Sequence, residues 1–245
     1  MSLHDEMTRA GHLLFRWRSY LPLLLFPMFV VTLRNFTYLE NSEALDDLWE
    51  VVCLGIAGVG FLLRVLTVGF VPANTSGRAT REPTAATLNT TGLYSVVRHP
   101  LYLGNGLIWL GVASFAHIWW LVLLVLLVFG LYYERIMLAQ EEFLRTRFGA
   151  EFDEWAQRTP AFIPNLRQWH PPTLPFSWRT VLARENATLF AIITTFFALE
   201  VTGDFFLGKL PHVDRDWLIL FIGGLVTYLG LRWMKKHRWL VVDGR

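Results

Sequence analysis

The sequence predicts an all-α integral membrane helical bundle, and three observations carry that expectation. Of the 245 residues, 53% are hydrophobic. The mean hydropathy is +0.38, too apolar for a water-soluble chain of this length. The apolar residues also come in blocks, several approaching the roughly 20 residues that a spanning helix needs. Finally, the cations are distributed unevenly over the connections between those blocks.

The first block, 19–39, follows a tail bearing Arg9, Arg16 and Arg18. It has no Ala-x-Ala exit, so it reads as a retained helix and not as a cleaved signal. The second block, 49–72, contains Gly55-Ile56-Ala57-Gly58-Val59-Gly60. No strand precedes this stretch and no polar turn holds it, so it is not a nucleotide loop. Its small residues suit close approach of membrane helices, and no sign of a Rossmann domain remains. Leu101–Tyr133 is broken near Ala113-Ser114-Phe115-Ala116-His117. Each half is about 16 residues, short of a full span, which predicts a tight helical hairpin. Blocks 187–207 and 217–233 follow Pro171-Pro172-Thr173-Leu174-Pro175, a linker by composition. About six membrane segments result. They divide into N-terminal helices (1–72), a core with the hairpin and polar loops (73–170), and a C-terminal helix pair (171–245).

In that arrangement 18 of the 22 lysines and arginines share one side. They lie in the N-terminal tail, the 73–100 loop (Arg78, Arg81, Arg98), the 134–186 loop and the C-terminal tail ending at Arg245. The 40–50 loop is acidic. The positive-inside rule then places both termini and both polar loops in the cytoplasm. Several tryptophans and tyrosines, Tyr20 and Trp119 among them, fit interfacial belts. Cys53 is the sole cysteine, so neither an internal disulfide nor a thiolate cluster is expected. The seven histidines show no helical ligand spacing, so no metal is expected either. Nor are basic residues interleaved with aromatics as a nucleic-acid surface requires. Arg64, Glu200 and Asp204 lie in or near spans, where ionisable groups are functional candidates by default. Arg64 is close enough to its helix end to snorkel, and Glu200 suits a buried structural pair.

The polar loops carry the chemistry. Residues 92–104 read Gly-Leu-Tyr-Ser-Val-Val-Arg-His-Pro-Leu-Tyr-Leu-Gly. Pro100 suits the first turn of a helix. That leaves Arg98 and His99 just outside, beside amides that suit an anion. After the apolar hairpin come Glu141-Glu142, Phe148-Gly149, Phe152, Trp155 and Pro160-Ala161-Phe162-Ile163-Pro164. Alone, Glu141 and Glu142 could be a solvated helix face paired with Arg145.

In combination, from roughly Thr90 to Pro164, this order resembles the isoprenylcysteine carboxyl methyltransferase and phospholipid methyltransferase superfamily, bacterial members most of all. Phe152 and Trp155 stand where tyrosine is usual. The resemblance implies methyl transfer from S-adenosyl-L-methionine to a membrane lipid or lipidated substrate, at the cytoplasmic face of a bacterial inner membrane. Arg98 and Glu141 are the expected catalytic residues. The expected cofactor-binding residues are Tyr94, His99, Pro100, Tyr102, Gly104, Glu142, Phe148 and Phe162. S-adenosylmethionine needs an acceptor for its ammonium, donors for its carboxylate and an apolar shelf for its ring. Glu141 or Glu142 supplies the first. His99, Tyr94, Tyr102 and the amides near Pro100 supply the second, and Phe148, Phe152, Trp155 and Phe162 the third.

Two kinds of acceptor stay open. A carboxylate or phosphate is already a nucleophile and needs only orientation, by Arg98. A phospholipid amine must lose a proton first, which would ask Glu141 to act as base. An NADPH-dependent sterol-type reductase, with Arg145 and Arg147 on the 2′-phosphate, is a further alternative. A membrane scaffold or channel is another, and would want polar residues along several helices.

Overall fold

The computed structural model describes residues 3–18, 24–34, 36–38, 40, 42–72, 75, 85–209, 213–242 and 244. Tyr20, Arg78, Arg81 and Arg245, and part of the 19–39 block, lie outside this set. The described chain is all helical. Its helices are α1 (Leu3–Trp17), α2 (Phe26–Leu33), α3 (Glu43–Phe70), α4 (Leu93–Val96), α5 (Pro100–Ser114), α6 (Trp119–Phe148), α7 (Ala150–Arg158), α8 (Trp178–Phe206) and α9 (Arg215–Lys236). Four of them, α3, α6, α8 and α9, are long and apolar enough to cross a membrane. The protein is an integral membrane helical bundle.

α3 lies at the centre, packed against α5 on one side and α8 on the other. α6 backs α5, α1 lies along α6, and α9 lies outside α8. The small-residue stripe explains the central contact. A Cβ on Gly60 would come 2.5 Å from the Gly104 carbonyl oxygen, and one on Gly104 would come 2.7 Å from that of Gly60. Gly111 meets the backbone of Cys53 and Ala57 in the same way. Gly55 and Gly58 have nothing within 4 Å, so the helix contact uses only one face of the stripe.

Two expectations are corrected. The hairpin is lopsided: α5 has 15 residues, but α6 has 30 and carries Glu141 and Glu142 on the same helix as the apolar run. Hydropathy falls after Tyr133, yet Glu, Arg, Leu, Ala and Gln keep helix propensity high. Of the first block, the described helix is α2, with eight residues. Ahead of it, α1 lies along α6, with Gly11 against the backbone of Arg135.

The bundle has two chemically different ends. Loops 92–99 and 159–177, Arg18 and the C-terminus of α9 lie at one, here the motif end; Lys235 reaches the Ala183 carbonyl oxygen there. At the other, Trp49 donates to the Ser114 carbonyl oxygen (2.9 Å) and Trp217 to Glu50 Oε2 (2.8 Å). His117 Nε2 lies 3.2 Å from Asp46 Oδ1. The core there is densely aromatic, with Phe196 stacked on Trp217 and edge-on to Phe115. Glu200 lies beside Glu50 in this region.

Candidate active site at the motif end of the bundle

The Gly92–His99 loop is held by backbone hydrogen bonds to a segment far along the chain. Gly92 N–H donates to His170 O, Arg98 N–H to Pro160 O, and Asn165 N–H to Val96 O, each at 2.9 Å. Trp155 Nε1 donates to the Tyr94 carbonyl oxygen at 3.1 Å, and His170 N–H to Ser95 Oγ at 2.9 Å. Two glycines make this return possible. Gly92 (φ 61°) turns the chain into α4, and Gly149 (φ 54°) ends α6 and starts α7, both in the region where a Cβ is strained. α7 then folds back to bury Phe152 and Trp155. The Trp155 indole thus acts as a clamp on the motif loop.

Pro100 is the first residue of α5 and is buried. His99 precedes it; its carbonyl oxygen accepts from Tyr102 and Leu103 N–H, both at 3.1 Å. The ring is thereby free to turn towards α6, where Nε2 lies 2.9 Å from Glu141 Oε1. Arg98 Nη1 lies 3.3 Å from the other oxygen, Oε2. One carboxylate on α6 therefore grips both motif side chains. The two glutamates part company here. Glu141 is half-buried in this cluster, whereas Glu142 is turned outward, 3.8 Å from Arg145. Arg145 is also paired with Asp153 at 2.8 Å.

Arg98, His99 and Pro100 line a cavity of about 520 Å³. Tyr94, Tyr102, Gln140, Phe143, Trp155 and Asn89 also line it. Burial pushes the Tyr94 hydroxyl up to about 12, against the pull of Arg184 and Arg64, so it is a neutral donor at pH 7. Among the described residues, Arg98 Nε is buried without a hydrogen-bond partner. A guanidinium N–H left so is costly, and a ligand oxygen would satisfy it.

The other expected residues lie elsewhere. Glu141 stands behind Arg98 and His99, outside the lining. Glu142, Phe148 and Phe162 are outside it too. Phe162 is 37% exposed and lies near Gly106. Gly104 sits in the α3–α5 contact, with Arg64 Cγ 2.8 Å from where its Cβ would be.

The cavity also has residues that the motifs did not reveal. Arg64 does not snorkel. It makes a two-pronged pair with Glu185 of α8, Nε to Oε2 at 2.9 Å and Nη2 to Oε1 at 3.0 Å. Its Nη1 donates to Asn105 Oδ1 at 2.6 Å, and Asn105 Nδ2 donates to the Tyr133 hydroxyl at 3.1 Å. All four residues line the cavity. The only sequence signal was a lone arginine in an apolar helix; its partner is 121 residues away.

The phospholipid methyltransferase family model matches residues 58–151, which bears out the resemblance read from the motifs and spans α3 to the start of α7. The chain is also similar to two curated proteins. It is 36% identical over 140 residues to the nickel-cobalt-cadmium resistance protein NccN of Alcaligenes xylosoxydans xylosoxydans, covering 56% of this chain and 62% of the relative. It is 34% identical over 142 residues to the cobalt-zinc-cadmium resistance protein CzcN of Cupriavidus metallidurans, covering 56% and 61%. The match thus spans about three fifths of each relative's length. No solved structure gives a significant match.

Proposed function

We propose that this chain transfers a methyl group from S-adenosylmethionine to an oxygen of an acidic, amphiphilic acceptor in the motif-end cavity. The family match supports methyl transfer in a membrane. The observation that carries the finer reading is the Arg98–Glu141–His99 cluster at the wall of a cavity inside a membrane bundle. The lining suits the cofactor. Tyr94 offers a donor for its carboxylate, Gln140 an amide oxygen for its ammonium, and Trp155 and Phe143 apolar surface for its ring. His99, Pro100 and Tyr102 complete that wall. When bound, the cofactor supplies an electrophilic methyl on a sulfonium.

The chain's own residues then do positional work. Arg98, whose Nε has no partner among the described residues, orients the acceptor oxyanion. Glu141 holds Arg98 and His99 and is a positioning residue. A carboxylate already committed to two cationic or donor partners is a poor base, which favours an acceptor that has no proton to lose over a phospholipid amine. Arg145 is tied to Asp153, which weakens the case for it as a 2′-phosphate receptor in a reductase. With the cation-rich end inside, by the positive-inside rule, the cavity opens at the cytoplasmic face. The relatives' names fit this chemistry, since esterifying an anionic headgroup removes a charge that concentrates metal cations at a membrane surface.

Two measurements test the proposal. Calorimetry on the purified protein should give heat with S-adenosylmethionine and none with NADPH; the opposite pattern would overturn it. Lipid extracts from cells with and without the gene should differ by a methyl mass on an acidic lipid. A change confined to water-soluble metabolites would remove the amphiphilic acceptor.

A further inference from the structure

We infer that the 161–164 tip, with Leu166 and Trp169 behind it, is a membrane-seating surface. Its partner is the lipid leaflet at the motif end, and its seating holds the loop that carries Arg98. The inference stands whatever the cavity transfers. Four apolar side chains in this short segment are exposed: Phe162 at 37%, Ile163 at 80%, Leu166 at 75% and Trp169 at 49%. An apolar patch of this kind marks an interaction surface. The first sign that the partner is lipid is depth. A Cβ on Gly106 would lie 3.3 Å from Phe129 Cε1 and 3.7 Å from Phe162 Cζ, so Phe162 rests on the α5–α6 hairpin. Gly106 is six residues past Pro100, roughly 9 Å along α5. Phe129 is four residues inside Tyr133, where the apolar run of α6 gives way to charge, roughly 6 Å along that helix. The tip therefore reaches back past the motif loop to the level of the apolar run, and Ile163 is exposed at that level.

The second sign is the order of residues behind the tip. Isoleucine and leucine give way to exposed Arg167 and Trp169, and Trp178 and Trp239 are exposed at the same end. Arginine reaches from an apolar neighbourhood to the wet boundary, and tryptophan collects at the membrane–water interface. A leaflet imposes that order, with aliphatic side chains deepest and the indole and the cation above them. The tip is also bracketed by the motif loop. Pro160 O accepts from Arg98 N–H where the tip starts, and Asn165 N–H donates to Val96 O where it ends, both at 2.9 Å. Pro160 and Pro164 have φ fixed by their rings, which leaves the tip little freedom of its own. A displacement of Ile163 is therefore passed to the two bonds that hold Val96 and Arg98.

The test is fluorescence of the full chain in phosphatidylcholine nanodiscs, with Ile163→Cys carrying an NBD label. Cys53 is the sole native cysteine and is buried, so wild type treated with the label serves as the blank. Acyl chains bearing a nitroxide should remove at least about half of the emission, and iodide in the water almost none, as for a group held at the headgroup–acyl boundary. The same label at Glu154→Cys, an exposed position of α7, should show the reverse. Quenching of the label at 163 by iodide as strong as at 154 would overturn the seat. Protection from both quenchers would mean that a second copy or another protein covers the tip, and would overturn lipid as the partner. Ile163→Asp places a charge in the seat and should speed amide exchange across 93–99 by about tenfold, with exchange along α3 unchanged. Ile163→Leu should match the wild type. Unchanged exchange across 93–99 in Ile163→Asp would overturn the hold on the motif loop.

Discussion

The two ends of the bundle both bury charge, but they do so in opposite ways. At the motif end, Arg64 pairs with Glu185, and Glu141 with Arg98 and His99. These pairs stand around a cavity. At the far end, the carboxylates of Asp46 and Glu50 meet an imidazole and an indole N–H amid packed aromatic rings. A buried carboxylate needs partners wherever it lies. Only where those partners are guanidinium groups beside open volume is there something for a ligand to do. The far end uses its polar groups to tie α3 to the α5–α6 turn and to α9. The motif end uses them to shape a site.

The sharpest way to break this contrast is to remove Arg98. Arg98→Ala should lower methyl transfer into a lipid extract by about 10²–10³, the cost of one preorganised electrostatic contact at a reacting oxyanion, about 2.7–4 kcal/mol. Glu141→Gln should cause a smaller loss, because it removes the ion pair but keeps a hydrogen-bonding group for His99. Near-full activity of Arg98→Ala at saturating acceptor would reduce Arg98 to a lipid anchor. Next in size is the central contact. Gly104→Val should destabilise the fold by about 3 kcal/mol through overpacking against Gly60 and Arg64, visible as a lower melting temperature in detergent. An unchanged melt would mean that α3 and α5 lie further apart than described.

Two far-end changes set the lower limit. Trp217→Phe leaves a Glu50 oxygen without its donor and should cost about 1–2 kcal/mol of stability, with S-adenosylmethionine affinity unchanged by calorimetry. A loss of cofactor affinity would mean that the two ends are coupled and the division drawn here is wrong. Lys209→Met removes an ion pair with Glu43 (2.7 Å) whose side chains are 39% and 67% exposed. It should shift the melt by no more than about 0–1 kcal/mol.

The features legible in the sequence were the local ones. Pro100 marks a helix start because its ring fixes φ. The motif order placed Arg98, His99 and Glu141 in one site, but that Glu141 pairs with both of the others is seen only in the structure. Long-range pairing was not legible. Nothing in the spacing of Arg64 and Glu185 says that α3 and α8 are neighbours. α1 was also missed: Met7, Leu14 and Phe15 make it amphipathic, and a search for continuous apolar runs passes over such a helix. The length of α6 was hidden because composition changes at Tyr133 while helix propensity does not.

That unbroken helix has a mechanical consequence. Thirty residues make a rod about 45 Å long, against a hydrocarbon core of about 30 Å. The lipid-facing half and the half bearing Glu141 cannot tilt separately, since the first break is at Gly149. A bilayer too thin or too thick for the apolar half is accommodated by tilting the whole rod. Glu141 and the lipid-facing half of α6 therefore move as one piece.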